Sequence, residues 1–183
     1  MEVGTDQQLQ WLRAWQKSLY EAGYLGRAWP AAYGGGGRPQ VEQDIVNAEL
    51  ARQKCPFVPN TIGLNWAGPL LLAMGTEAQK QRYIRGMLSC DDVWCQGFSE
   101  PDNGSDLAAT ATRAVRDGDH YVINGRKWFS SGAGNPKCAI FIVMGKTDPD
   151  APRHQQQSMV LVPRDTPGVT VLRPLTVFGY DDA

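Results

Sequence analysis

Val93-Trp94-Cys95-Gln96-Gly97-Phe98-Ser99-Glu100-Pro101-Asp102-Asn103-Gly104-Ser105-Asp106 is where the chain changes its pattern. Val93 to Ser99 is short and leans apolar, as a strand does. Glu100 to Asp106 is polar and broken by Pro and Gly, as a loop is. Upstream the apolar residues recur at helical spacing. Thr5 and Gln8 have capping-box spacing, Leu12, Trp15 and Leu19 follow at i, i+3 and i+7, and Gly23 is placed to end that helix in the left-handed conformation. A turn-rich connector runs from Gly26 to the glycines 34–37. A second helix opens near Pro39, with Val41, Ile45 and Ala48 on one face, and stops before Pro56. Residues 61–74 are apolar and helical, with a break expected near Gly68-Pro69. Thr76 and Gln79 repeat the capping-box spacing before Tyr83, Ile84 and Met87.

Downstream the period shortens to two. Ala108, Thr110, Thr112 and Ala114 predict a strand. Asp117-Gly118-Asp119 predicts a hairpin turn, and Tyr121 to Ile123 the returning strand. Asn124-Gly125 predicts a second hairpin turn into a strand at Lys127 to Ser131. Cys138 to Met144 is a continuous apolar run, a buried strand. Residues 147–157 read as an exposed loop. Ser158 to Pro163 and Gly168 to Leu172 predict two more strands. Helices first and strands second imply an α+β chain in two domains, residues 1–92 helical and 93–183 β.

Composition narrows the function classes. Lys plus Arg number 18 against 19 Asp plus Glu, a balance with no pull toward nucleic acid or an anionic membrane surface. No apolar run approaches the length of a membrane span, and the first ten residues carry no secretory pattern. The four cysteines form no CxxC pair, and neither histidine has metal-ligand spacing with one, so no metal site is expected. Reduced thiols make a cytoplasmic protein the simplest fit. The four glycines lack the Lys-Ser or Lys-Thr of a phosphate loop, so they read as a flexible connector. His120 and His154 fall in a turn and a loop and read as solvated. Two segments concentrate chemistry. The loop from Phe98 to Asp106 gathers hydroxyls, backbone N–H groups and a permissive glycine, which suits close approach to a phosphate or a polar ring edge. Lys127-Trp128-Phe129-Ser130-Ser131-Gly132 sets aromatics beside hydroxyls, a flat wall for a flat cofactor. Each alone is also compatible with ordinary loop and core.

Gly75 to Tyr83, Gly97-Phe98-Ser99-Glu100-Pro101, Gly104-Ser105-Asp106, Ile123-Asn124-Gly125-Arg126-Lys127 and Trp128 to Gly132 occur in an order that resembles the acyl-CoA dehydrogenase family. Ala22-Gly23-Tyr24 to Trp29-Pro30 and Tyr33-Gly34-Gly35 resemble that family's early helix and turn. Trp128 to Lys137 is most similar to a subgroup sometimes fused to a kinase-like domain. The resemblance implies an N-terminal helical domain, a middle β-barrel and FAD as cofactor. It implies α,β-dehydrogenation of an acyl-CoA to the trans-2-enoyl-CoA, with a glutamate base and hydride transfer to the flavin. Carried over residue by residue, Gln96, Phe98 and Ser99 border the isoalloxazine, with Ser99 at its pyrimidine edge. Gly104 and Ser105 approach the pyrophosphate, Ser105 also lies near the acyl-CoA, and Phe129, Ser130 and Ser131 form the opposing wall, with Ser131 near N5.

The family's C-terminal four-helix domain and catalytic base have no counterpart in these residues, so no catalytic residue is nominated. The expectation is a portion of a longer enzyme, or a chain completed by a partner and inactive alone. A same-fold flavin oxidase or monooxygenase and a non-catalytic assembly subunit remain alternatives. The implied partners are the acyl-CoA substrate and an electron-transfer flavoprotein or similar acceptor, in a homo-oligomer. A mitochondrial or peroxisomal location replaces the cytoplasm if the source is eukaryotic.

Overall fold

A computed structural model describes residues 6–175. The chain falls into two compact units, one ending at Trp94 and one beginning at Cys95. The capping-box residue Thr5 lies outside the described residues.

The first unit is helical: α1 (Asp6–Glu21), α2 (Gln40–Arg52), α3 (Gly68–Met74) and α4 (Glu77–Ser89). In α1 the buried stripe is Leu12, Gln16 and Leu19, while Trp15 is half-buried. Gln16 is wholly buried, and its amide explains why that is tolerable. Its Nε2 donates to the carbonyls of Met87 and Leu88, both at 3.1 Å, and its Oε1 accepts from Asn60 N at 3.2 Å. Asn60, equally buried, continues the network. Its Nδ2 donates to Met87 O at 3.0 Å and Asp92 O at 2.9 Å, and its Oδ1 accepts from Trp94 N at 3.0 Å. A buried amide left unpaired costs about 1–3 kcal/mol, so these two side chains set where α1, α4 and the start of the first strand meet.

Local signals behave as their chemistry dictates. Gly23 is left-handed at φ 74° and ends α1. Thr76 caps α4: its hydroxyl accepts from Gln79 N at 3.2 Å, and Gln79 Oε1 accepts from Thr76 N at 2.9 Å. The glycine run is tied down rather than flexible. Gly36 N donates to Gly26 O, Gly37 N to Trp29 O and Arg38 N to Arg27 O. A Cβ on Gly35 would stand 2.3 Å from Trp29 O. The expected break near Gly68-Pro69 is a π-turn one step earlier, Gly63–Ala67, after which the helix runs through Pro69 in its first turn. Gly68 is there for packing: a Cβ would meet the Trp29 indole at 2.1 Å. The α2 face carrying Val41, Ile45 and Ala48 exists but is exposed, and α2 buries no residue. It is anchored instead through polar groups, Glu42 pairing with Arg27 and Arg38 and Gln43 accepting from Arg27 N.

The second unit is a mixed sheet. β1 (Val93–Gly97), by which the chain passes into this unit, lies beside β4 (Cys138–Lys146). Next come β2 (Arg113–Asp117) and β3 (His120–Asn124), while β5 (Gln157–Pro163) also pairs with β4. The β2–β3 hairpin turns through Gly118, at φ 62°, in the register Asp117↔His120. β4 and β5 are antiparallel from Ile140↔Pro163 to Lys146↔Gln157. β2 meets β4 in parallel only at Arg113↔Lys146. Cys95, Cys138 and Phe141 centre the core, with Ala133, Val143, Val162 and Val169 packed around them.

Among the described residues two predicted strands are absent and a third starts late. Residues 107–109 form a 3-10 turn and β2 begins only at Arg113, because the N–H groups of Ala111 and Thr112 are taken by the Glu100 carboxylate rather than by a ladder. Asn124-Gly125 makes no hairpin. The favoured two-residue turn needs positive φ at both central residues, and Gly125 does not have it. The chain there crosses Thr112, whose hydroxyl would lie 2.1 Å from a Gly125 Cβ. Residues 168–172 include the end of a turn closed by Val169 N to Thr166 O and pair with no strand among the described residues.

Candidate functional site

Beyond Gly97 the backbone leaves the sheet, and its polar groups are taken up by the irregular segment after β3. Trp128 N donates to Ser99 O at 3.0 Å. Lys127 Nζ donates to Phe98 O at 2.8 Å and to Glu100 Oε1 at 2.7 Å. Cys95 Sγ lies 3.6 Å from Ser130 O. The two chemistry-bearing segments are thus laced to each other along their backbones.

Glu100 is the knot. It is 4% exposed and its carboxylate accepts from Ala111 N at 2.7 Å, Thr112 N at 2.9 Å, the Thr112 hydroxyl, Asn103 Nδ2 and Lys127. Burial raises the carboxyl's pKa. The hydrogen bonds from Lys127, Thr112 and the two backbone N–H groups outweigh that and hold it down at about 2. Burial likewise pulls the Lys127 ammonium below the ordinary lysine value, and Glu100 offsets part of this. The two groups stand in ion-pair contact, Lys127 Nζ 2.7 Å from Glu100 Oε1. The role of Glu100 in the loop is structural, and nothing in its sequence neighbourhood pairs it with a lysine 27 positions away.

Around this knot stand the predicted cofactor residues. Gln96, Phe98 and Ser99 are half-buried. The Ser99 N–H makes no backbone hydrogen bond among the described residues. Phe129 is 56% exposed and held at φ 47°, with its ring centroid 4.8 Å from that of Trp128. A bulky residue in the left-handed region costs about 1–2 kcal/mol, and such strain concentrates at binding sites. Ser130 is half-buried and Ser131 exposed. The turn beyond them is fixed by Arg164, which donates to the carbonyls of Ala133 at 2.7 Å and Asn135 at 3.1 Å.

Gly104 and Ser105 stand on the exposed side of the loop, and no hydrogen bond joins either to residues 127–131 among those described. That loop is moored instead to the β4–β5 connection. Asp106 pairs with Arg153, and Gln157 Nε2 donates to Ala108 O at 3.1 Å. The sequence named Lys127 within the aromatic segment and Thr112 within a strand but gave neither a role at the site, and it did not single out Arg164, because each acts at long range on a backbone or buried group.

The N-terminal domain model of the acyl-CoA dehydrogenases matches residues 2–91, and the middle domain model of the same enzymes matches residues 95–183. Probable acyl-CoA dehydrogenase FadE2 of Mycobacterium tuberculosis is 49% identical over 142 residues, covering 74% of this chain and 34% of that protein. Acyl-CoA dehydrogenase family member 11 of the mouse is 44% identical over 156 residues, covering 80% of this chain and 19% of its own length. Among solved structures, an acyl-CoA dehydrogenase from Geobacillus kaustophilus superposes with a TM-score of 0.76 at 32% identity, over 93% of this chain and 45% of that one. The chain therefore spans about a fifth of the mouse protein, a third of FadE2 and under a half of the Geobacillus kaustophilus enzyme. With helices, sheet and both stretches of sequence pointing the same way, the chain belongs to the acyl-CoA dehydrogenase family.

Proposed function

We propose that this chain supplies the helical and middle β portions of an FAD-dependent enzyme that dehydrogenates an acyl-CoA thioester between its α and β carbons. The observation that carries the reading is the lacing of Phe98-Ser99-Glu100 to Lys127-Trp128. It produces a shelf with unspent donors at one edge and a strained, exposed aromatic at the other. The residues suit a flavin: Ser99 N–H has no backbone acceptor among the described residues, and Phe129 offers a ring face. FAD, when bound, accepts the hydride. The chain's own residues orient the ring, with Ser99 donating to its polar edge, Phe129 against its face and the hydroxyls of Ser130 and Ser131 beside it. Gly104 and Ser105 are assigned to the diphosphate, and Ser105 also to the thioester substrate.

No described glutamate serves as base. Glu100 is the one placed at the site, and a carboxylate held at about 2 with its lone pairs occupied is a poor proton acceptor at neutral pH. The base, the acceptor of electrons and the oligomeric assembly belong to the rest of the functional enzyme. Titrating the purified full-length protein with FAD tests the reading. Saturable binding is expected, with Phe129→Ala, which removes the ring face, and Ser131→Ala, which removes a hydroxyl beside the ring, each weakening it at least about tenfold, or 1.4 kcal/mol. Unchanged affinity in both variants would remove the shelf from the site.

A further inference from the structure

We infer that Lys127 is a positioning residue that tunes the bound cofactor's redox balance through the Phe98–Ser99 peptide. The inference rests on Ser99 as the flavin-edge donor. Phe98 C=O and Ser99 N–H belong to one peptide group. Lys127 Nζ donates to that carbonyl at 2.8 Å, so a full positive charge polarises the peptide and strengthens the N–H at its other end. On the next peptide, Trp128 N donates to Ser99 O at 3.0 Å. Lys127 is only 13% exposed in its side chain, so water screens its charge weakly. Its stem is held beside β1, where a Cβ on Gly97 would lie 3.6 Å from Lys127 Cγ.

Two-electron reduction adds negative charge to the flavin ring. A donor sharpened by a buried cation favours that state over the oxidised one, and Glu100 tempers the effect by partly neutralising the ammonium at 2.7 Å. The arrangement therefore predicts opposite consequences for the two members of one ion pair. Removing the cation leaves a buried carboxylate near the shelf and disfavours reduction. Removing the carboxylate frees the cation and favours reduction.

The experiment measures FAD stoichiometry by visible absorbance and the midpoint potential by equilibration with a reference dye. It uses the flavin-loaded full-length protein and its Lys127→Met, Lys127→Arg and Glu100→Gln variants. The expected results are a fall of about tenfold in the reduced-to-oxidised balance for K127M, about 30 mV for a two-electron couple, a rise for E100Q and a wild-type value for K127R. A purely structural ion pair would shift K127M and E100Q in the same direction or not at all, and either result overturns the inference while flavin binding stands. If K127M does not fold, the sign of the E100Q shift decides. A wild-type protein that takes up no FAD overturns both the inference and the shelf beneath it.

Discussion

Glu100 shows how one carboxylate organises a loop that no helix or strand supports. Its pKa is depressed from the ordinary 4.5 to about 2 in the folded chain. A carboxyl depressed on folding stabilises fully above its unfolded value, and that contribution is lost as the pH falls through the folded one. The stability difference between wild type and E100Q should therefore be constant above about pH 5 and shrink by up to about 3 kcal/mol on descending to pH 2. Urea unfolding at a series of pH values measures it; a difference independent of pH would mean that folding does not depress the Glu100 pKa. The glutamine leaves the Lys127 ammonium without its counter-ion, so the variant should also be less stable at neutral pH by about 3–5 kcal/mol.

At the scale of elements, the capping box of α4 is the cleanest case of a sequence signal realised in geometry. Thr76→Ala removes an acceptor for Gln79 N and should cost about 1 kcal/mol of stability, measured by thermal unfolding of the purified protein. No change in unfolding temperature would mean the end of α4 is held by packing alone. The same class of local signal made Gly23, the Gly118 turn and the apolar run of β4 readable, since each depends on a few adjacent residues. The failures share a cause as well. The alternation at 108–114 looked like a strand, but its N–H groups were claimed by a carboxylate from an earlier loop. Asn124-Gly125 looked like a hairpin, but the following backbone was claimed by Ser99. On α1 the stripe ran through Gln16, a polar residue at i+4 from Leu12 and i−3 from Leu19. That position was the available hint that an amide was being buried.

For the whole molecule, family and architecture were legible because motifs spread over both units keep their order, whereas the bonds that join them had no local trace. Lys127 and Glu100, or Gln16 and Asn60, become partners only once the chain has folded. Asn60→Ala should accordingly be severe for its size. It strands Trp94 N and Asp92 O together, while Met87 O keeps its bond from Gln16, and should cost the helical unit about 2–4 kcal/mol in chemical unfolding. A cost below about 1 kcal/mol would show that water takes over both groups.

The Trp94 amide has an odd allegiance. It belongs to a strand, yet its proton is captured by the side chain of Asn60, whose other two bonds end at the last turn of α4 and at Asp92. Deuterium uptake at this single position should track the lifetime of the helices rather than that of its neighbours along β1, making it a native clock for one half of the protein, readable without any label.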